Sequence, residues 1–147
     1  MATLTSTACQ TSSGGFFLNA PKYIDEGVIA RTALYTFAAA QSAGDIIQMV
    51  PVPKGAHIHD VIANYGGLGG GALTTTVGDG NSASRYNGSV STNLANVVRA
   101  TAGLGYSYSA EDTIDIVVGT ATSATAGVTV RLTVIYSMDQ SMDGTGS

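Results

Sequence analysis

The sequence predicts an all-β protein: a single-domain antiparallel β-sandwich, jelly-roll-like, with about eight strands and an extended N-terminal arm. Apolar and polar residues alternate with a period of two along several short segments, which is the pattern of half-buried strands. Gly, Pro and Asn residues separate these segments. The 19 glycines among 147 residues count against long helices, because glycine costs about 1 kcal/mol inside a helix.

Residues 1–27 are predicted to form the arm. This segment is polar and interrupted by glycine, and its apolar group is Phe16, Phe17 and Leu18. Exposed aromatic side chains on an arm favour aggregation unless they dock, either on the protein's own domain or on a neighbouring protein. Cys9 lies in the same arm. A single cysteine cannot form an internal disulfide, and we expect an inert thiol rather than an intermolecular crosslink.

Residues 28–137 form the predicted sandwich domain. In its first strand, at residues 30–37, the β-branched Thr32 and Thr36 alternate with apolar positions. The helix formers at residues 38–40 compete with this assignment, and we predict a strand followed by a short connector. Five further strands are predicted at residues 45–50, 56–65, 73–77, 84–90 and 94–99.

Two strands with clear alternation complete the domain. Polar and apolar residues alternate along residues 113–118, except that Val117 is apolar at a polar position. We therefore expect the face of this strand that points away from the core to be only partly solvated. Along residues 127–136, every second residue from Val128 onward is apolar and the residues between are mostly Thr or Arg. Residues 138–147 lack apolar periodicity and are predicted to be a flexible C-terminal tail.

The composition indicates a surface suited to contact with other protein. Charged residues make up only 11% of the chain, against roughly 25% in typical soluble proteins, and charges are costly to desolvate at an interface. The net charge is −4 and the six Lys and Arg residues are scattered singly, so we expect no nucleic-acid partner. No apolar run approaches the ~20 residues that span a bilayer, so we expect no membrane partner. The N-terminus lacks a secretory pattern, which predicts synthesis in the cytoplasm.

Two motifs suggest a cofactor or a metal, and neither has the required context. Residues 67–72 contain Gly-x-Gly-x-x-Ala, but a strand rather than a phosphate-binding helix is predicted to follow, so we interpret the segment as a hairpin loop. His57 and His59 project from one face of a predicted strand, yet a metal site needs a third ligand. Ordinary surface or interface histidines are favoured, although a trimer axis could collect such residues from several chains. We expect no cofactor and no metal.

No catalytic arrangement stands out, so we expect that the protein is not an enzyme. Residues 79–81 (Asp-Gly-Asn) resemble the start of a calcium loop, but no Glu closes the loop at the expected position, Arg85 cannot serve as an oxygen ligand, and a turn is predicted. Asp112 and Asp115 face opposite sides of a strand, which disfavours a catalytic carboxylate pair. No serine is matched to a base and an orienting acid.

Tyr86, Tyr106 and Tyr108 lie near polar loops, and aromatic faces can stack on sugars. A carbohydrate-binding β-sandwich for host attachment is therefore an alternative function. Packing in the core or at an interface is the favoured role for these tyrosines. Residues 87–89 (Asn-Gly-Ser) match a glycosylation triplet, which also arises by chance.

Three segments in order carry a family resemblance: residues 49–61 (MVPVPKGAHIHDV), 76–80 (TVGDG) and 84–86 (SRY). A strand ends at a Pro-Lys-Gly turn, and a Val-Gly-Asp turn precedes a strand that carries Arg-Tyr. The pattern resembles tailed-bacteriophage virion structural proteins of the small jelly-roll head decoration, or cement, type.

The resemblance implies a virion protein on the outer capsid surface, assembled in the host cytoplasm. Such proteins are commonly homotrimers that clamp neighbouring major capsid protein subunits and stabilise the expanded capsid. In this role the arm would reach a neighbour, with Phe16, Phe17, Leu18 and Tyr23 as partner-binding residues. Other virion components, such as a head fibre base or a tail protein, share the architecture and stay open as alternatives.

Overall fold

A computed structural model describes residues 1–5, 27–37, 41–67, 73–120 and 126–138. Within these ranges the chain forms nine strands. The described residues contain no helix that is long and apolar enough to cross a membrane. The strands are β1 (Thr3–Thr5), β2 (Val28–Thr36), β3 (Ile46–Val52), β4 (Ala56–Gly66), β5 (Thr74–Asp79), β6 (Ser82–Ser91), β7 (Ala95–Arg99), β8 (Asp112–Val118) and β9 (Thr129–Met138).

The strands form two sheets. The four-stranded sheet has the order β2-β9-β4-β7, and the five-stranded sheet has the order β1-β3-β8-β5-β6. The described pairs are antiparallel except β1 with β3. From β2 onward the chain changes sheet at every connection but the one from β5 to β6. This arrangement is the jelly-roll sandwich that the sequence predicts.

The core lies between the two sheets, and each strand contributes mainly alternate residues to it. The side chains of β8 and β9 illustrate the pattern, because the alternate apolar positions that face the core are at most 1% exposed. Burial of these side chains supplies the main stabilising free energy of such a domain. The core residues of these two strands are Ile114, Ile116, Val118, Val130, Leu132, Val134 and Tyr136.

β1 extends the five-stranded sheet by parallel pairing with β3. The Ala2 amide donates to Asp45 Oδ1 at 2.8 Å, and the Ile46 amide donates to the Ala2 carbonyl at 2.8 Å. Hydrogen bonds from the Ser42 and Ala2 amides hold the pKa of Asp45 below its usual value. β1 belongs to the segment for which the sequence predicts an arm, so its first residues add a strand to the sandwich.

β6 departs from regular pairing near the turn that follows β5. Val77 pairs with Asn87 and Asp79 pairs with Ser82, so residues 83–86 of β6 lie opposite Gly78 alone. A Cβ atom on Gly78 would lie 2.0 Å from the Ser82 carbonyl oxygen. Glycine is therefore required for this close approach of two backbones.

Eight of the nine described strands are predicted from the sequence, with ends within two residues of those observed. The hairpin loop predicted between β4 and β5 is wrong, because these strands lie in different sheets and the connection passes from one sheet to the other. Residues 38–40 and 68–72 lie outside the described residues. The arm, domain and tail boundaries stay predictions.

Candidate interaction surface

The four-stranded sheet has a face that points away from the core. The strand register aligns its outward residues in rows across β2, β9, β4 and β7. Two such rows are Thr32-Thr133-Ile62-Arg99 and Leu34-Arg131-Asn64-Val97. Together with Val28, Ala30 and Ile135, these residues are called the outer face below.

Apolar side chains are accessible on the outer face. Val28 is 67% exposed and Val97 is 62% exposed, and Leu94, just before β7, is 79% exposed. Ile62 and Ile135, which also belong to the outer face, are half-buried. Single exposed apolar residues are common, but several on one sheet face favour contact with another protein.

The outer face carries little charge. The Arg99 Nε donates to Asp60 Oδ2 at 2.5 Å, and this hydrogen bond raises the pKa of Arg99. The Asp60 side chain is only 6% exposed, whereas that of Arg99 is 75% exposed. Arg131 is the other cation in the two rows described above. A face with few charges loses little hydration free energy when another protein covers it.

The depressions in this part of the molecule are small. One of about 160 Å³ lies in the outer face and is lined by Leu34, Asn64, Gly66, Thr129 and Arg131. A second, of about 310 Å³, lies where β6 leads into β7 and is lined by Ser91, Asn93, Leu94, Ala95 and Asn96. Small-molecule sites usually measure roughly 300–1,000 Å³, so the depression in the outer face is below this range and the second is at its lower limit. The outer face is therefore better suited to protein contact than to enclosing a small ligand.

His57 and His59 lie on the same side of β4, as predicted, with ring centroids 5.3 Å apart. His57 Nδ1 is 2.8 Å from Ser107 Oγ, and His59 Nε2 is 2.8 Å from Ser137 Oγ. No carboxylate among the described residues bonds to either ring, so neither pair has the orienting acid of a hydrolase triad. The described residues contain no group of three His, Cys, Asp or Glu side chains that could hold a metal ion.

The tyrosines considered for sugar binding make contacts within the protein. The hydroxyls of Tyr86 and Tyr108 are 2.8 Å apart, and the Tyr108 hydroxyl donates to Asp79 Oδ2 at 2.9 Å. Burial raises the pKa of both phenols. The Arg85 guanidinium lies 3.8 Å from the centroid of the Tyr106 ring. The packing role is confirmed for the fully buried Tyr86 and Tyr108, and one face of Tyr106 is occupied by Arg85.

Asp79 closes the turn between β5 and β6. Its Oδ1 accepts hydrogen bonds from the Asn81 amide at 3.0 Å and the Ser82 amide at 2.9 Å. Arg85 Nε donates to Asp79 Oδ2 and forms a salt bridge with it. The predicted turn is confirmed, and Arg85 binds the carboxylate that a calcium loop would need as a ligand.

Asp112 and Asp115 lie on opposite faces of β8, as their spacing predicts. Asp115 is 4% exposed, and within the described part of the chain its Oδ1 has no hydrogen-bond partner. The pKa of Asp115 is raised to about 7, chiefly by burial and also by the carboxylates of Asp112 and Asp79. The two acids do not form the paired arrangement of a glycosidase.

The glycosylation triplet begins at a buried residue. Asn87 is 4% exposed, and its Nδ2 donates to the Arg99 carbonyl at 3.1 Å. This hydrogen bond links β6 to the end of β7, which lies in the other sheet. Asn87 therefore has a structural role rather than that of an accessible acceptor.

The arm residues predicted to bind a partner, Phe16, Phe17, Leu18 and Tyr23, lie outside the described residues, as does Cys9.

Sequence reasoning did not identify the outer face. The sequence feature that could have indicated it is a pair of adjacent apolar residues within a strand, which interrupts the alternation of apolar and polar residues. Examples are Val97-Val98 and Ile135-Tyr136. In each pair one side chain packs toward the core and the other points outward.

Chains from three solved structures share this fold. A chain of the capsid of Ralstonia phage GP4 matches with a TM-score of 0.76 and 21% identity, over 94% of this chain and 99% of that chain. A chain of the cyanophage Pam1 capsid asymmetric unit matches with a TM-score of 0.67 and 24% identity, over 76% of this chain and 85% of that chain. A chain of the acidic stable capsid structure of Helicobacter pylori bacteriophage KHP30 matches with a TM-score of 0.57 and 14% identity, over 76% of this chain and 87% of that chain.

No family model and no curated protein matches the chain. At these low sequence identities the three structural matches establish the fold alone. The chain is a jelly-roll sandwich of a form that also occurs in chains of phage capsid structures.

Proposed function

We propose that this chain is a structural protein of a bacteriophage virion and that it acts as a decoration, or cement, protein. In this role it binds the outer capsid surface as a trimer, clamps neighbouring major capsid subunits and stabilises the expanded capsid. The observation that carries the proposal is the match to a chain of the GP4 capsid over 94% of this chain and 99% of that chain. The match therefore concerns a whole capsid chain of similar size, not one domain of a larger chain.

The outer face supports a role in protein contact. It combines exposed Val28 and Val97 with few charges, so covering it removes apolar surface from water at a small desolvation cost. The predicted arm would add Phe16, Phe17, Leu18 and Tyr23 as contacts to a neighbour. Together these parts would allow one chain to bind more than one capsid subunit.

The proposed mechanism is linkage between binding and capsid stability. A protein that binds only the expanded capsid lowers the free energy of that state by mass action. A protein that bridges two subunits also raises the free energy needed to separate them. This role needs no catalytic group, and we propose that the protein is not an enzyme.

The proposal is tested on particles of the phage that encodes this chain, prepared with and without its gene. Cryo-electron microscopy should show density for the jelly roll on the outside of the head, bridging capsid subunits. Particles that lack the chain should release their DNA at a lower temperature, and re-addition of purified protein should restore the wild-type value.

Other locations would contradict the decoration role in different ways. Density at the tail or at the base of a head fibre would retain the virion role and exclude the cement role. Absence of the chain from purified particles would exclude both. The carbohydrate-binding alternative loses support, because the tyrosines that motivate it contact Asp79, Arg85 and one another.

A further inference from the structure

The half-buried His57 and the exposed His59 form a pair of imidazoles at one end of the four-stranded sheet. Two residues along a regular strand span about 7 Å, yet the centroids of these two rings are 5.3 Å apart. A β-bulge between Ile58 and Asp60 interrupts the pairing of β4 with β9 at this point. Bulges change the direction in which neighbouring side chains point, and here the two rings lean toward each other.

Each ring is anchored to a serine through one nitrogen. His57 uses Nδ1 toward Ser107, and His59 uses Nε2 toward Ser137. Within the described part of the chain, the second nitrogen of each ring, Nε2 of His57 and Nδ1 of His59, has no hydrogen-bond partner. Histidines that bind metals usually have this arrangement, in which a hydrogen bond on one nitrogen fixes the ring while the other nitrogen binds the ion.

We propose that His57 and His59 form a two-imidazole site for a first-row transition-metal ion such as Cu²⁺, Ni²⁺ or Zn²⁺, with water completing the coordination. Nitrogen ligands lie about 2.1 Å from zinc at tetrahedral angles, which places the centroids of two ligating imidazoles about 5 Å apart. The observed separation of 5.3 Å matches this value. The proposal requires the two side chains to rotate so that both nitrogens face one ion.

The neighbouring carboxylate does not supply a third ligand. Asp60 Oδ2 accepts from Arg99, and Asp60 Oδ1 accepts from the Val61 amide at 2.9 Å. The site thus has two protein ligands and an accessible side for water. Imidazole pairs favour Cu²⁺ over Ni²⁺ and Zn²⁺, whereas Mg²⁺ prefers oxygen ligands, so Mg²⁺ should not bind.

The test is calorimetric titration of the purified full-length chain with each metal chloride. We expect one Cu²⁺ ion per chain and weaker Ni²⁺ and Zn²⁺ binding at the same site. His57→Gln and His59→Gln should each weaken binding by more than about tenfold, and Ser137→Ala should weaken it by about tenfold or less, because it removes only the anchor of His59. Affinity should fall on acidification, since imidazole binds metal in its neutral form.

Two outcomes would overturn the proposal. The first is equal affinity of the wild type and the His57→Gln/His59→Gln double variant, because Cys9 and the N-terminal amine are present in both and would then be the ligands. The second comes from the wild type alone and does not depend on whether the variants fold. Paramagnetic Cu²⁺ should first broaden the nuclear magnetic resonance signals of residues near positions 57, 59, 107 and 137, and broadening that starts elsewhere contradicts the site.

Discussion

Asp115 places a buried carboxyl group on the face of β8 opposite the core residues. Its pKa of about 7 exceeds the usual 3.8 because burial disfavours the charged form. Between pH 4 and 7 the folded protein therefore holds a proton that the unfolded chain releases. The free energy of unfolding should fall as pH rises through this range, by up to about 1.4 kcal/mol per pH unit. Asp115→Asn should remove this loss and be more stable than the wild type above pH 7.

Urea unfolding of both proteins at several pH values between 4 and 8 checks this expectation. The relevant quantity is the difference between the two free energies of unfolding, because Asp45 and the other carboxyl groups are common to both chains. The difference should be small at pH 4 and grow toward pH 7. Stability curves that run parallel over this range would show that Asp115 is ionised in the folded protein.

At the scale of single residues, the sequence predicts the local role of Asp79 but not its distant partners. A turn follows from the Asp-Gly-Asn triplet, because an Asp side chain can bond to the backbone two or three residues ahead. The bond from the Tyr108 hydroxyl joins residues separated by 29 positions. No periodicity relates such residues, since only the packing of the loop before β8 on the β5–β6 turn brings them together.

At the scale of strands, the irregular part of β6 depends on the absence of a side chain at Gly78. A Cβ there would lie 2.0 Å from the Ser82 carbonyl oxygen and 2.3 Å from the Ala83 carbonyl carbon. Both atoms belong to the backbone, so the strand itself would have to move. We expect Gly78→Ala to lower the free energy of unfolding by about 2 kcal/mol or more, because substitutions that overpack an interior have costs of this size.

Gly88→Ala, in the paired strand β6, is the matched control. A Cβ at Gly88 meets no atom within 4 Å, and the substitution restricts the unfolded chain, so the effect should be neutral or stabilising by up to about 1 kcal/mol. Urea midpoints of the two variants measured under one condition give the comparison. Equal midpoints would mean that β6 can shift without cost at Gly78.

β1 shows which elements sequence patterns cannot predict. Its three residues are too few to establish a period of two. Its position depends on pairing with Ile46, Ile47 and Gln48 of β3 and on the bond from the Ala2 amide to Asp45, 43 residues away. The longer strands are predicted with accurate ends because each contains its own alternation and is bounded by turn residues.

At the scale of the whole molecule, the sequence predicts a jelly-roll sandwich but not which strands are neighbours. β2 pairs with β9 along its full length although Thr32 and Thr133 are 101 residues apart. Alternation tells which side of each strand is apolar, whereas the pairing partner is decided by the packing of all strands together. The outer face is therefore visible only once the register of β2, β9, β4 and β7 is known.

The proposed contact through the outer face can be tested with a charge placed at Val97. This side chain is 62% exposed, so Val97→Asp should lower the free energy of unfolding by no more than about 1 kcal/mol, the span of strand propensity. A carboxylate covered by a bound protein must lose its hydration, so binding to capsid particles should weaken, as measured by co-sedimentation. Ser89→Asp adds the same charge at an exposed position of β6 in the other sheet and serves as the control. Equal co-sedimentation of both variants would exclude the outer face as the capsid contact, whereas loss with Ser89→Asp alone would assign the contact to the five-stranded sheet.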